Sequence, residues 1–181
     1  ENGVKLHTLL EGLIGASSLS PVAEIAVDGI TQDSRKMGDN YLFIAAPGTA
    51  SHGLDFVEQA VASGASVVLW DGADRDRVNK VDALSHEIIC VQVEGLQQKT
   101  SEIAARFFTD PSLNLNLLGV TGTDGKTSCT HFIAEALGGE GCPVGLMGTL
   151  GYGVFGELQD GGFTTPDAVT VHRELADLRD R

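Results

Sequence analysis

Basic residues are scarce in this sequence. Lys and Arg number 12 against 25 Asp and Glu, which gives a formal net charge of −13. No cluster of basic side chains provides the positive surface that a nucleic-acid backbone requires, so nucleic acid is not an expected partner. An anionic small ligand would have to be held by local devices, such as a helix N-terminus, a lysine or a metal ion.

Long apolar runs are also missing. No run approaches the roughly 18 residues that a membrane-spanning helix needs. Residues 1–12 contain no basic segment ahead of an apolar one, which argues against a signal peptide. The chain is 42% hydrophobic and 20% charged, a balance typical of a protein that folds around a core. We therefore expect a soluble protein. We also expect a monomer, and a location in the cytoplasm, to which the cysteine content points.

Cysteine is too sparse for a disulfide framework. The chain has three cysteines, an odd number without paired spacing, and this fits a reducing compartment. Of the three, Cys90 and Cys142 are interpreted as small buried apolar residues. Four histidines lack the spacing of metal ligands and are interpreted as surface or helix residues: His52, His86, His131 and His172.

Alternating strand and helix signals run through the first 109 residues. Short runs rich in branched or aromatic residues predict strands, and longer amphipathic runs predict helices. The predicted order is helix 6–14, strands 24–30 and 40–46, helix 53–65, strand 66–70, a charged solvated connection 71–80, strand 87–93 and helix 96–108. In the second helix, the residues expected to face inward are Phe56, Val57, Ala60 and Val61. This alternation is typical of an α/β domain with at least partly parallel strands.

A second segment begins near residue 110, because Pro111 disfavours helix for the residue before it. Its predicted elements are a strand 115–120, a glycine loop, a helix to about Leu137, a strand 144–150 and a final helix with Thr165 as N-cap and Pro166 at its first position. Two clear strands are too few for a complete α/β sheet. We therefore expect a small N-terminal α/β domain at 1–109, followed at 110–181 by the incomplete start of a phosphate-loop α/β domain of a longer protein.

The loop GVTGTDGKTS, residues 119–128, lies between a predicted strand and a predicted helix. Gly122 and Gly125 allow backbone conformations in which successive N–H groups point inward, and such a nest at a helix N-terminus attracts phosphate oxygens. Lys126 adds a mobile positive charge, and Thr127 offers a hydroxyl suited to Mg²⁺. Val120 stands where the strict pattern G-x-x-x-x-G-K-[ST] has glycine. An ordinary strand-to-helix turn would explain the glycines, but not Gly-Lys-Thr in register at a helix start.

The same loop resembles the ATP loop of the Mur ligase family, usually T-G-T-N-G-K-T, whose pattern does not require the first glycine. Three more segments are similar to the MurE type of that family, in matching order and spacing: DGITQDSRKMGDNYLFIA at 28–45, GTASHG at 48–53 and GFTTPDA at 162–168. The four segments together are specific for the MurE type. The loop alone would not separate this type from other Mur ligases or from folylpolyglutamate synthetases.

The resemblance implies an ATP-dependent amide ligase of peptidoglycan precursor synthesis. Such an enzyme uses ATP and Mg²⁺ to convert a substrate carboxylate into an acyl phosphate, which the amine of an amino acid then attacks. The implied partners are UDP-N-acetylmuramoyl-L-alanyl-D-glutamate (the UDP-MurNAc-dipeptide) and a diamino acid, either meso-diaminopimelate or L-lysine. A function of a different class stays open, namely a stand-alone module that binds a nucleotide or UDP-sugar without catalysis.

The resemblance also implies roles for individual residues. Lys126 and Thr127 would be catalytic, with Thr127 near Mg²⁺. Seven consecutive residues would wrap the ATP phosphates: Gly122, Thr123, Asp124, Gly125, Lys126, Thr127 and Ser128. The UDP substrate would be contacted from three loops, by Gln32 and Ser34, by Thr49, Ala50 and Ser51, and by Phe163, Thr164 and Thr165.

The chain departs from the family pattern at several points. Asp124 replaces the commoner Asn and would weaken phosphate binding unless it faces Mg²⁺ or the nucleoside, and Phe163 stands where some members have a polar residue. The family's modified lysine, its metal-binding glutamate and histidine and its C-terminal domain are missing from these 181 residues, so the chain alone is expected to be inactive. Without the resemblance, a solvated turn is the simpler interpretation of Ser34 and Arg35, and a helix cap is that of Thr165.

Overall fold

The computed structural model describes residues 3–48, 51–73, 77–139, 143–159 and 166–181. The chain divides into two compact units, Glu1–Thr109 and Asp110–Arg181. The first unit contains β1 Val4–Lys5, α1 Leu6–Leu10, α2 Ala16–Leu19, β2 Ala26–Val27, β3 Gly29–Thr31, β4 Tyr41–Ile44, α3 Val57–Ala62, β5 Ala65–Trp70, α4 Val78–Leu84, β6 Ile89–Gln92 and α5 Leu96–Phe107. The second contains α6 Lys126–Leu137, β7 Gly145–Gly148, β8 Gly151–Val154 and α7 Ala168–Asp180.

A parallel sheet forms the centre of the first unit. Its strands lie in the order β3-β4-β5-β6, and each neighbouring pair is parallel. Parallel neighbours need crossover connections, which contain α3 between β4 and β5 and α4 between β5 and β6. Strand β4 is buried on both faces, since Leu42, Phe43 and Ile44 are fully inaccessible to solvent. The predicted α/β class with parallel strands is confirmed.

The first helix is shorter than the apolar spacing predicts. α1 ends at Leu10, and Gly12 follows with a left-handed φ of +75°. The guanidinium of Arg106 on α5 donates hydrogen bonds to the backbone carbonyls of Leu9 at 3.1 Å and Glu11 at 2.8 Å. Tertiary hydrogen bonds therefore satisfy carbonyl groups at this helix end that a longer α1 would have used internally.

The prediction that Phe56 faces the core is wrong. Its side chain is 41% exposed, whereas Val57 and Ala60 are buried. Residues Gly53–Phe56 form a 3₁₀ turn, and α3 begins only at Val57. The tighter turn changes the direction of the side chain relative to a continuous α-helix, and this places Phe56 outside the buried face.

The connection predicted to be solvated at 71–80 contains the start of a helix. α4 begins at Val78, and Val81 lies in the core with 3% exposure. Lys80 and Arg77 pair with Asp55 at 2.8 and 3.3 Å. The charges that suggest a loop thus belong to the start and outer face of an amphipathic helix.

The strand predicted at 115–120 is absent from the described second unit. A strand exists only through its pairing, and no described strand pairs with this segment, so Leu117 and Leu118 are 54% and 67% exposed. β7 instead forms an antiparallel hairpin with β8. In β8, Gly151 and Gly153 have φ values of +116° and +136°. Because glycine is typical of loops, the composition of this segment does not predict a strand.

The last helix begins later than predicted. α7 starts at Ala168, and its N-cap is Asp167, whose carboxylate accepts hydrogen bonds from the backbone N–H of Thr170 at 3.0 Å and its hydroxyl at 2.7 Å. This side chain satisfies a helix N–H that would otherwise have no partner. The prediction of Thr165 as the N-cap is therefore wrong, and Thr165 itself lies outside the described residues.

The expectation that Cys90 is buried is met only in part. Cys90, expected in the core, is partly buried on β6, and this burial raises the pKa of its thiol. Cys129 is exposed on α6, and Cys142 lies outside the described residues.

Across the helices that the structure describes, none combines the length and the apolar character needed to cross a membrane.

Candidate nucleotide-binding site

The glycine loop ends directly at the N-terminus of α6. Gly122 and Gly125 have φ values of +150° and +77°, and Gly125 is the N-cap of the helix. No side chain caps this end, so the first N–H groups of the helix have no intrahelical partner and remain available to a ligand. The loop is exposed from Thr121 to Lys126. Its geometry is that of an anion-binding helix terminus.

The Lys126 ammonium lies inside this loop. Its Nζ donates hydrogen bonds to the carbonyl oxygens of Gly122 at 2.6 Å and Thr123 at 3.2 Å. Both partners are neutral and exposed, and an ionised phosphate oxygen is a stronger acceptor for an ammonium than a carbonyl is. The donor set of the loop therefore fits the phosphate groups of a nucleotide.

Thr127, the second residue of α6, faces the β7–β8 hairpin. Its Oγ1 lies 2.9 Å from Oγ1 of Thr149, a turn residue between the two strands. A cavity of about 300 Å³ opens here, and its lining includes Val120, Lys126, Thr127, His131, Met147 and Thr149. The loop cation and the hydroxyl groups of Thr127, Thr130 and Thr149 share one cavity with apolar side chains, a combination typical of small-ligand sites.

The remaining residues of the loop are solvent-facing. Thr123, Asp124 and Ser128 are all exposed. Water and salt screen an exposed carboxylate, so the charge of Asp124 opposes phosphate binding less than the sequence alone suggests. Within the described residues, no group of three or more His, Cys, Asp and Glu side chains is placed to hold a metal ion. Thr127, the one metal-binding residue predicted from the sequence, is partly buried beside the loop.

A second candidate region lies at one edge of the parallel sheet. Gln32 and Ser34 follow β3, and Ser51 lies on the loop that follows β4. Because β3 and β4 are parallel neighbours, both loops leave the carboxyl ends of their strands, where open α/β sheets bind ligands. Thr49 and Ala50 belong to the second loop but lie outside the described residues.

Ser34 is not part of a solvated turn. It begins the 3₁₀ turn Ser34–Lys36, it is 6% exposed, and its hydroxyl donates a hydrogen bond to Oε1 of Gln59 at 2.9 Å. A hydroxyl that donates its single proton keeps two acceptor lone pairs. Any ligand contact of Ser34 would therefore use the oxygen as an acceptor.

Asp33 and Arg35 hold the turn around Ser34. The Arg35 guanidinium donates to both carboxylate oxygens of Asp33 at 2.8 Å, and the Arg35 backbone N–H donates to the same carboxylate at 3.0 Å. The side-chain hydrogen bond from Arg35 is the main cause that lowers the pKa of Asp33. Arg35 is exposed, as the turn interpretation expected. This pair fixes the backbone that carries Ser34.

The loop after β4 closes on itself. Pro47 forms an antiparallel bridge with His52, and the N–H of Gly48 donates to the Ser51 carbonyl at 2.9 Å. Nδ1 of His52 accepts the backbone N–H of Leu54 at 3.1 Å. Ser51 itself is exposed. The closed geometry holds this loop beside the sheet edge.

Three residues assigned to the third substrate loop, Phe163, Thr164 and Thr165, lie outside the described residues. Conversely, sequence reasoning missed Thr149, His131 and Gln59. His131 follows Thr127 by one helical turn and its ring packs edge-on against Phe155, with centroids 5.8 Å apart. The i to i+4 spacing of Thr127 and His131 was visible in the sequence. The hairpin partner and the Gln59 contact were not, because both depend on tertiary structure.

Removing the Ser34 hydroxyl should weaken both the turn and any ligand contact. We expect Ser34→Ala to lower the free energy of unfolding by about 1 kcal/mol, since one part-buried hydrogen bond to Gln59 is lost. If the substrate site implied by the resemblance is present, affinity for the UDP-MurNAc-dipeptide should also fall about fivefold, by a similar free energy. Urea denaturation and titration calorimetry measure the two effects.

Ser66→Ala is the matched control, because the Ser66 hydroxyl makes an exposed hydrogen bond to Asn40 at 2.8 Å away from the two loops. The control should leave substrate affinity unchanged. Equal affinity in Ser34→Ala and the unmodified chain would remove Ser34 from the substrate site.

A parallel α/β unit followed by a glycine loop at a helix N-terminus defines the class as an α/β protein with a candidate phosphate-binding loop. A model described as Mur ligase family, catalytic domain, matches residues 26–108, and one described as Mur ligase middle domain matches residues 120–181. The chain belongs to the Mur ligase family, and the resemblance to its MurE type is confirmed by the relatives below.

Relatives of known function extend along most of the chain. The UDP-N-acetylmuramoyl-L-alanyl-D-glutamate--2,6-diaminopimelate ligase of Coxiella burnetii is 35% identical over 170 residues, which are 94% of this chain and 34% of the relative. The ligase of the same name from Pseudomonas putida is 42% identical over 150 residues, 83% of this chain and 29% of the relative. The chain thus spans about a third of the length of the curated relatives it matches.

Solved structures share the fold. A structure of a UDP-N-acetylmuramoyl-L-alanyl-D-glutamate--2,6-diaminopimelate ligase aligns with a TM-score of 0.68 at 23% identity, covering 98% of this chain and 34% of the other. MurF from Acinetobacter baumannii aligns with a TM-score of 0.59 at 19% identity, covering 98% of this chain and 33% of the other. At these identities the likeness supports the fold alone.

Proposed function

We propose that this chain is part of an ATP-dependent ligase that joins a diamino acid to the UDP-MurNAc-dipeptide. The observation that carries the proposal is the glycine loop at the start of α6, where Lys126 and Thr127 line one cavity. The named relatives supply the substrate class, since they are diaminopimelate ligases acting on UDP-N-acetylmuramoyl-L-alanyl-D-glutamate. Residues 110–181 would begin the ATP-binding domain, and residues 1–109 would form the domain for the UDP substrate.

Lys126 and the loop would bind the phosphates of ATP. The free N–H groups at the start of α6 would donate hydrogen bonds to phosphate oxygens. The Lys126 ammonium would exchange its present acceptors, the carbonyls of Gly122 and Thr123, for phosphate oxygens. When the γ-phosphoryl group moves to the substrate carboxylate, negative charge shifts among its oxygens. A fixed cation beside them stabilises that state more than the ground state.

Thr127 would be the protein ligand for Mg²⁺. A small, hard cation such as Mg²⁺ prefers oxygen ligands, keeps several waters and takes few groups from the protein, so one partly buried hydroxyl beside the loop fits its needs. When bound, Mg²⁺ neutralises charge on the β- and γ-phosphates. The orientation of the Thr127 hydroxyl would then be the contribution of this chain.

The loops at the edge of the parallel sheet would bind the uridine end of the UDP substrate. Gln32, Ser34 and Ser51 are placed beside the carboxyl ends of β3 and β4, and the Ser34 oxygen is free to accept a hydrogen bond from a uracil or ribose donor. Thr49 and Ala50, and Phe163 to Thr165, are proposed for the same substrate on the resemblance alone. In the proposed class, the substrate carboxylate takes the γ-phosphoryl group of ATP and ADP leaves. The amine of the diamino acid then attacks the acyl phosphate, and the amide forms as phosphate and a proton are released.

The test is a ligation assay on the protein expressed from its complete native reading frame. Phosphate release is measured with ATP, Mg²⁺ and the UDP-MurNAc-dipeptide, in parallel reactions with meso-diaminopimelate, L-lysine or no amino acid. We expect release that depends on the dipeptide and on one diamino acid, with diaminopimelate favoured. Binding of nucleotide and UDP substrate without any turnover would instead support the binding-module alternative, and failure to bind either would contradict both.

A further inference from the structure

The contact between Thr127 and Thr149 has no role in the function as proposed so far. The two Oγ1 atoms lie 2.9 Å apart, and both residues line the cavity beside the glycine loop. Thr127 belongs to α6 and Thr149 to the turn between β7 and β8, so the contact joins two elements of the second unit. It is a hydroxyl pair at the point where the loop meets the hairpin.

The chemistry of a hydroxyl ligand gives this contact a direction. A threonine hydroxyl has one proton to donate and two lone pairs to accept with. A cation bound to the oxygen occupies a lone pair and makes the proton more acidic, so the proton needs an acceptor that points away from the cation. At 2.9 Å, Oγ1 of Thr149 is within normal hydrogen-bond distance for that proton.

We infer that Thr149 is a positioning residue for the nucleotide-bound divalent cation: its Oγ1 accepts the Thr127 proton and turns the Thr127 lone pairs toward the cation. Thr149 acts through Thr127 and touches neither cation nor phosphate. The inference rests on the proposed function, because it assumes that the loop binds a nucleotide with its cation. Cation affinity would then depend on a residue of the β7–β8 turn, outside the glycine loop motif.

Nucleotide and Mg²⁺ binding are measured separately to test this. The probe is the non-hydrolysable analogue AMP-PNP, titrated calorimetrically in EDTA and then with increasing Mg²⁺, on the protein from its complete native reading frame. Thr149→Val keeps the shape of the side chain and removes the acceptor. We expect it to weaken the apparent Mg²⁺ affinity about tenfold, as expected for one hydrogen bond to a charged centre, and to leave AMP-PNP affinity in EDTA unchanged.

Two further variants serve as controls. Thr149→Ser keeps the hydroxyl and should restore Mg²⁺ affinity. Ser85→Ala removes a hydroxyl that does not line the cavity, one that donates to the Asp82 backbone carbonyl at 2.7 Å, and it should leave Mg²⁺ affinity unchanged. Thermal melting of all variants accompanies the titrations.

The outcomes separate this inference from the proposed function. Unaltered Mg²⁺ affinity in Thr149→Val overturns the inference, and so does an equal loss of AMP-PNP affinity with and without Mg²⁺, which would make Thr149 a structural residue of the loop. Failure of Thr149→Ser to restore affinity also overturns it. If the unmodified protein binds no AMP-PNP in either buffer, the proposed function itself fails, whatever Thr149 does.

Discussion

Replacing Lys126 by alanine should reduce phosphate release about 100-fold to 1,000-fold, the range seen when one preorganised charge-stabilising donor is removed. The ammonium lies in the loop against the carbonyls of Gly122 and Thr123, where it would meet the phosphates of ATP. Its charge matters most while the γ-phosphoryl group moves. The loss should therefore fall on turnover, and affinity for the UDP-MurNAc-dipeptide should barely change.

The fold should survive this substitution. Lys126 is exposed and fills no part of the core, so the midpoint of thermal unfolding should match that of the unmodified protein. Lys80→Ala is the matched control, because it removes a lysine whose partner is Asp55, at 2.8 Å in the first unit, and it should leave turnover intact. Near-normal phosphate release in Lys126→Ala would refute the phosphate role, and a collapsed melt would make Lys126 a structural residue of an ordinary glycine turn.

Gly64→Ala should destabilise the first unit by about 3 kcal/mol, since an alanine there meets both backbone strain and overpacking. Gly64 has a φ of +110°, and a Cβ atom added to it would lie 2.6 Å from the carbonyl oxygen of Gly38 and 3.1 Å from Cα of Asp39. These are backbone atoms, so no change of rotamer relieves the contact. Urea denaturation followed by the fluorescence of Trp70, the single tryptophan of the chain, measures the loss.

Gly12→Ala separates the two causes. Gly12 also has a positive φ, of +75°, but no atom lies within 4 Å of its added Cβ. It should therefore cost only the conformational part, about 1 kcal/mol. Equal stability of the two variants would mean that the Gly38–Asp39 backbone moves aside at no cost. A lower stability of Gly64→Ala than of Gly12→Ala would confirm that the Gly38–Asp39 backbone lies too close to Gly64, which follows α3, to admit a Cβ atom without loss of stability.

Local sequence patterns correctly predicted those elements whose pattern lies within one continuous segment. The buried strands β4 and β5 show as continuous apolar runs, and helix α6 ends at Leu137 as predicted. The glycine loop is recognisable because Gly122, Gly125 and Lys126 act through their own backbone and charge. Such features depend on residues close together in the chain, and the structure places them as the pattern indicates.

Features that depend on a partner elsewhere in the chain were the ones missed. Segment 115–120 has the composition of a strand, but no described strand pairs with it, while glycine-rich β8 becomes a strand because β7 pairs with it. α1 stops at Leu10, where Arg106 of α5 takes the carbonyls around its end. In each case a hydrogen bond between distant residues outweighs the local preference.

The candidate site divides in the same way. The sequence by itself determined the α/β class and the glycine loop at a helix start, with its lysine and threonine, because short stretches of chain contain the whole pattern. Only the tertiary structure decided that Ser34 is buried against Gln59 and that Thr127 meets Thr149. Both contacts join residues more than twenty positions apart, and their distance in space depends on how helices and strands pack, which no local pattern encodes.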